Sequence, residues 1–181
     1  MNRQTTRRHI SSKNIAFTAM FAALCCAATF IAIPLPFGYF NLGDIFVLVS
    51  AWTLGPVFGA IAAGVGTALA DVLMSYVIYA PATFIIKAAV AVVAALLFNA
   101  FKKNDSTNKI NLLPRVISAI LGEAIMVCGY FLYEAFLLGY GMGALASVTG
   151  NCLQAIAGVI GGTLLTSALL SSRTLRNTFK H

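Results

Sequence analysis

Charge is what this sequence has least of. Only 9% of its 181 residues are Asp, Glu, Lys or Arg, and 5 are acidic, whereas ordinary globular domains carry about a quarter charged residues. With 60% hydrophobic residues the chain has too much apolar surface to hide in water, which excludes an ordinary soluble domain and makes a bilayer its natural solvent. Histidine is nearly absent: His9 and His181 lie in the two tails, so there is no paired-histidine metal spacing, and no metal or cofactor is expected. The four cysteines, Cys25, Cys26, Cys128 and Cys152, fall in apolar stretches without CxxC spacing, which makes them small packing residues rather than a zinc or redox site. Walker A, H-E-x-x-H and G-x-S-x-G motifs are all missing, so the chain is not expected to be an enzyme or to hydrolyse ATP. No inverted repeat with broken helices is evident, which disfavours a self-sufficient coupled carrier.

What is present is a series of long apolar runs, and a helix needs roughly 20 such residues to cross a hydrocarbon core about 30 Å thick. The runs predict an all-α, polytopic membrane protein with six transmembrane helices over about 14–33, 42–54, 57–76, 82–101, 113–138 and 144–171. Pro34 and Pro36 end the first, Gly55-Pro56 ends the second, and the second is short for a full span. The N-terminal "TTRRHISSK" resembles a twin-arginine signal, but the run behind it has spanning length and no clean cleavage site, so it reads as an uncleaved first helix.

The basic residues give the layout an orientation. Arg3, Arg7, Arg8 and Lys13 precede the first helix, Lys102, Lys103, Lys109 and Arg115 separate the fourth and fifth, and Arg173, Arg176 and Lys180 follow the sixth. These are 11 of the 12 lysines and arginines. Basic loops stay inside, so segments 1–13, 102–112 and 172–181 are expected to be cytoplasmic, as are both termini, within one integral membrane domain spanning 1–181.

A charge within a membrane is costly, and an intramembrane ionisable residue is a functional candidate by default. Asp44 at the start of the second helix, Asp71 in the third, Lys87 in the fourth, Glu134 in the fifth, and Asn151 and Gln154 in the sixth all fall in the outer leaflet of this layout. Asn41 and Gly43 just precede Asp44, and Phe37, Tyr39, Phe40, Tyr76, Tyr79, Tyr130 and Tyr133 share the level. Apolar walls with a few convergent polar groups and aromatic faces make a ligand site open to the outside. Structural readings compete with this one. Lys87 with Asp71 or Glu134 forms a buried pair that locks helices together; Asp44 caps its helix; Tyr76, Tyr79 and Trp52 belong to an interfacial belt. Glu123, near mid-depth, receives no role. Ala19, Ala23 and Ala27 stand at i, i+4 and i+8 in the first helix, the small-residue spacing by which helices approach closely in lipid. The glycine pairs of "GPVFG" and "GVIGG" repeat it. In so small a chain the alanine stripe points to a partner protein.

The order of "AMFAAL", P-x-P-x-G-x-x-N-L-G-D, "LGPVFGAIAAGVGTALAD", "FIIKA" and "GYFLYEA" resembles the substrate-binding S components of energy-coupling factor (ECF) transporters. Within that group it is similar to the riboflavin branch, which includes members for hydroxymethylpyrimidine and pyridoxine-like vitamins. The resemblance runs from about residue 16 to residue 170. It implies a binding subunit of an ABC-type importer in the prokaryotic plasma membrane. Such a subunit captures a vitamin from outside, then docks on a transmembrane coupling protein and two ATPase subunits and topples to release the ligand. It implies contact of Ala19 and Ala23 with the coupling protein, and a pocket covered by the connection between the first two helices and lined by the fourth to sixth. Asn41, Asp44, Asp71, Tyr79, Lys87, Tyr130, Glu134, Asn151 and Gln154 are the candidate ligand residues. Both charge signs suit a small neutral ring such as pyridoxine or hydroxymethylpyrimidine, with riboflavin as the alternative. A structural assembly protein without ligand is the reading from another class, and a proton-coupled carrier using Asp71, Lys87 and Glu134 is a third.

Overall fold

The computed structural model describes residues 12–34, 39–102 and 111–171. The expectations for Phe37, for both histidines and for most of the cytoplasmic segments fall outside the described residues. Helix α1 spans Ser12–Phe30, α2 Gly43–Leu73, α3 Ala80–Lys102, α4 Leu112–Leu132 and α5 Leu145–Ser171. A π turn, Tyr133–Leu137, extends α4, and a 3-10 turn, Gly141–Ala144, leads into α5. With these extensions, five helical segments among the described residues are long and apolar enough to cross a membrane.

One expectation needs correcting, and another takes a sharper form. The first helix stops at Phe30, and Ala32–Pro34 instead forms a short strand, β1, antiparallel to β2 (Tyr39–Asn41) with Ala32 opposite Asn41. A proline-rich segment cannot prolong a helix, and the backbone groups freed there pair across a hairpin. The separate second and third helices are two arms of α2. They break at Gly55, whose φ of 80° and ψ of −178° belong to a region essentially reserved for glycine. The break is a reversal rather than a bend. A Cβ on Gly59 would lie 2.9 Å from the Ala51 Cα, although a straight helix would hold residues eight apart at about 12 Å. The first arm, 43–54, is about 18 Å long at 1.5 Å per residue, well under a hydrocarbon core.

Small residues set the packing. A Cβ on Gly66 would fall 2.3 Å from the Ala22 carbonyl oxygen, so α1 and the second arm of α2 touch backbone to backbone, with Phe21, Cys25, Ala28 and Thr29 as the buried face of α1. Gly161 and Gly162 admit Ile45 and Leu48 of the first arm in the same way. The glycine pairs therefore serve internal packing. Ala19, Ala23 and Ala27 lie on the opposite side of α1 and are exposed. So are many large apolar side chains elsewhere, among them Val57, Phe136 and Leu164, a surface far larger than the apolar patches of soluble monomers.

Buried hydroxyls are mostly satisfied locally. Thr53, Thr67 and Thr166 each donate to the carbonyl four residues back, at 2.7, 2.7 and 2.8 Å, a bond that spares a threonine any other partner. Trp52 Nε1 donates to Ser118 Oγ at 3.1 Å, and its ring packs on Phe98 between helices. Arg115 is buried near the same end of the bundle, with its guanidinium over the Phe98 ring and Nη1 donating to Ser167 at 3.4 Å.

Candidate functional site

The polar residues gather where the β1–β2 hairpin meets the starts of α2, α3 and α5 and the end of α4. Asp44 lies in the first turn of α2 but makes no capping hydrogen bond there. It pairs instead with Lys87 of α3, whose Nζ stands 2.6 and 2.8 Å from its two carboxylate oxygens. Lys87 therefore joins neither Asp71 nor Glu134, contrary to the pairing expected from sequence. Its third contact is the Met126 sulfur at 2.8 Å. Both members of the pair are buried, at 1% and 3% exposed, which a charge tolerates only with close partners.

Gln154 of α5 completes this floor. Its Nε2 donates to Asp44 Oδ2, and its Oε1 accepts from Asn41 Nδ2 at 2.8 Å. Asn41 Oδ1 in turn accepts from the Gly43 backbone N–H at 2.8 Å. One chain of hydrogen bonds thus runs from the hairpin through α5 to the ion pair, fixing the orientation of both amides. Glu123 lies beside it: a Cβ on Gly158 would be 2.9 Å from Asp44 Cβ and 3.0 Å from Glu123 Oε1. Neither Glu123 oxygen has a partner among the described residues.

Above the floor lies a cavity of about 80 Å³, small beside the roughly 300–1,000 Å³ of common ligand clefts. Tyr39, Tyr76, Tyr79 and Tyr130 supply its aromatic walls, and Asn41, Gln154, Asn151, Ser147 and Glu134 its polar ones. Six of the nine candidates from sequence line it: Asn41, Tyr79, Tyr130, Glu134, Asn151 and Gln154. The other three, Asp44, Asp71 and Lys87, stand behind the wall. Asp71 accepts from the Tyr39 hydroxyl at 2.9 Å, which ties the end of α2 to the hairpin and brings both ends of α2 to this end of the bundle.

Glu134 is aimed by the π turn, a one-residue irregularity often found at functional sites. It accepts from Ser147, and from the Tyr79 hydroxyl at 3.5 Å. Tyr130 donates to Thr83 at 3.0 Å and receives the Lys87 ammonium 5.5 Å from its ring centre. Asn151 has no hydrogen bond among the described residues and faces the cavity with its amide groups open. Burial pushes the Tyr39 and Tyr79 hydroxyls up from their ordinary range, and the neighbouring carboxylates, Asp71 and Glu134 respectively, push the same way. Both therefore remain neutral hydrogen-bond donors. Ser147 and Gly150 were not among the candidates, yet 147, 150, 151 and 154 follow the helical spacing that puts residues on one face.

A model of the ECF-type riboflavin transporter S component family matches residues 9–171. The chain belongs to that family. The proteins of the family are substrate-binding membrane subunits of vitamin importers and are not enzymes. This S component is also 38% identical over 132 residues to a Pyrococcus woesei protein described as an uncharacterized protein in the gap 3′ region, a match covering 73% of the S component and 82% of that relative. The family resemblance expected from the motifs is thereby met, and the tyrosine-lined cavity under the hairpin is the S component's candidate ligand site.

Proposed function

We propose that this S component captures a single-ring vitamin or vitamin precursor, of the pyridoxine or hydroxymethylpyrimidine kind, in the cavity under the β1–β2 hairpin. The observation that carries this reading is the cavity itself: a small, tyrosine-walled space in which Asn151 leaves an amide unused and Asn41 and Gln154 are held in fixed orientation. Flat rings stack on such walls, and fixed amides select the pattern of hydrogen-bonding groups on the ring edge. Riboflavin, with three fused rings and a ribityl chain, is the second reading, favoured by the family's description. Asp44 and Lys87 act from behind the wall by holding Gln154 and the start of α2 in place, and Tyr39 anchors the hairpin through Asp71.

The hairpin end faces outward in this reading, and both termini are cytoplasmic in the prokaryotic plasma membrane. The support is the distribution of lysine and arginine: Lys13, Lys102 and Arg115 stand at the start of α1, the end of α3 and the start of α4, away from the hairpin, as basic residues on the inner side do. The exposed stripe of Ala19, Ala23 and Ala27 docks the transmembrane coupling protein, which with two ATPase subunits drives release. Since the buried face of α1 is taken by α2, the alanines are free for that contact.

Uptake by proteoliposomes holding the S component, the coupling protein and both ATPases tests the reading. ATP-dependent accumulation of labelled pyridoxine or hydroxymethylpyrimidine is expected. Uptake by the S component alone under a proton gradient would favour a carrier instead, and a folded protein that binds no vitamin would favour a structural role.

A further inference from the structure

The charge around the cavity is lopsided. The chain as a whole carries a formal charge of +7, yet three of its five acidic residues, Asp44, Asp71 and Glu134, stand around this end of the bundle, and Glu123 lies behind Asp44 nearer mid-depth. Among the described residues of that cluster Lys87 is the single basic side chain, and Asp44 holds it through both carboxylate oxygens. Lys87 does not line the cavity. Glu134 does, and among the described residues it is the one formally charged side chain in the wall. Its hydrogen bonds come from the neutral hydroxyls of Ser147 and Tyr79, so no cation offsets it there.

The aromatic walls point the same way. Tyr39 and Tyr76 pack with ring centres 5.2 Å apart, and Tyr76 and Tyr79 with centres 6.4 Å apart and nearly perpendicular planes. The three rings therefore present more than one direction of π face around the space that Tyr130 closes. Tyrosine faces attract cations through the ring quadrupole, and a phenol that donates to a carboxylate, as Tyr39 does to Asp71, has a more electron-rich ring. A low-dielectric cleft lined with one sign of charge focuses its field on whatever enters.

From these observations we infer that the cavity selects a flat heteroaromatic ring carrying a positive charge on a ring or exocyclic nitrogen, seated against Tyr39, Tyr76 and Tyr79, away from the Tyr130 ring that faces Lys87, with its cationic edge toward Glu134. This deepens the single-ring reading above and rests on it, since it names the charge state that the same site prefers. Neutral isosteres keep the stacking but lose the attraction to Glu134, and anionic forms are repelled.

Binding of matched probes to the purified full-length protein in detergent, followed by calorimetry, tests this. The probes are the 3-O-methyl ether of pyridoxine and hydroxymethylpyrimidine, each neutral at about pH 8 beside its N-methylated permanent cation, with riboflavin as a bulky neutral. Each cation is expected to bind about tenfold or more tightly than its neutral parent, and in Glu134→Gln that ratio is expected to fall toward one. Should Glu134→Gln fail to fold, Tyr76→Leu serves as the second variant, because removing an aromatic face lowers the same ratio. Neutral parents that bind as well as the cations, or a ratio unmoved by both variants, would overturn the preference for a cation while leaving vitamin capture standing. Tight binding of riboflavin alone would also overturn it and would return the second reading to first place. Binding of no probe by folded protein would overturn the preference and the single-ring reading together.

Discussion

The Lys87 ammonium sits between the two carboxylate oxygens of Asp44, 2.6 and 2.8 Å away, and the pair joins the start of α2 to the second turn of α3. Through Gln154 and Asn41 the same contact reaches the hairpin over the cavity. A charge pair that never touches the cavity thus determines where two of its amides point.

Breaking that pair from one side is expected to be costly, because it strands a buried charge. Lys87→Met is expected to destabilise the protein by about 3–5 kcal/mol, seen as a large fall in the thermal unfolding midpoint in detergent. The double variant Lys87→Met with Asp44→Asn is expected to recover part of the loss. Equal midpoints for the single and double variants would show that the two side chains do not act together.

Gly55 carries the reversal of α2. Gly55→Ala places a Cβ at φ 80°, ψ −178°, and a cost of about 1–3 kcal/mol is expected from backbone strain alone, since nothing lies within 4 Å of that Cβ to add a clash. An unfolding midpoint equal to that of the parent would mean that the two arms rejoin as a continuous helix or turn in another way.

Asn151 offers the least encumbered amide in the cavity. Asn151→Ala is expected to weaken vitamin binding by about 1–3 kcal/mol and to leave the unfolding midpoint of the ligand-free protein nearly unchanged, because no hydrogen bond within the described residues is lost. Calorimetry and a thermal scan read the two effects separately. An unchanged affinity would remove Asn151 from the ligand contacts.

Ala19→Arg and Ala23→Arg each place a long charged side chain on the exposed face of α1. Transport by the assembled complex is expected to be lost with ligand binding retained, measured as uptake in proteoliposomes and as binding to the isolated subunit. Parallel loss of both would mean that this face of α1 supports the fold or the cavity.

Much of this arrangement is legible in the sequence because depth in a bilayer is nearly a one-dimensional property. Counting residues along each apolar run brought Asp44, Lys87, Glu134, Asn151 and Gln154 to one level, and that level holds the cluster. Depth does not give the angle around each helix axis. The sequence therefore offers Lys87 either Asp71 or Glu134 when its partner is Asp44, and it does not tell a wall residue from Asp44, Asp71 and Lys87, which only support the wall. The hairpin is not legible in the sequence because strands of three residues carry no periodicity, and their pairing depends on how α1 and α2 meet. The reversal at Gly55 was legible as a break, since Gly-Pro seldom continues a helix, but its sharpness comes from Gly59 permitting Ala51 to approach. The alanine stripe on α1 was legible by spacing. Which side of α1 the rest of the chain covers was decided by Gly66 against Ala22, a contact between residues 44 positions apart that no local pattern reports.

Whether the tyrosine-lined cavity holds a single-ring vitamin is read most directly by mass spectrometry of the small molecules that co-purify with the protein in mild detergent, compared with those from a Tyr76→Leu, Asn151→Ala variant prepared in parallel. A pyridoxine-like or hydroxymethylpyrimidine-like compound near one equivalent, reduced sharply in the variant, is the predicted result. A folded protein that carries no such compound and binds none when it is added would contradict the claim.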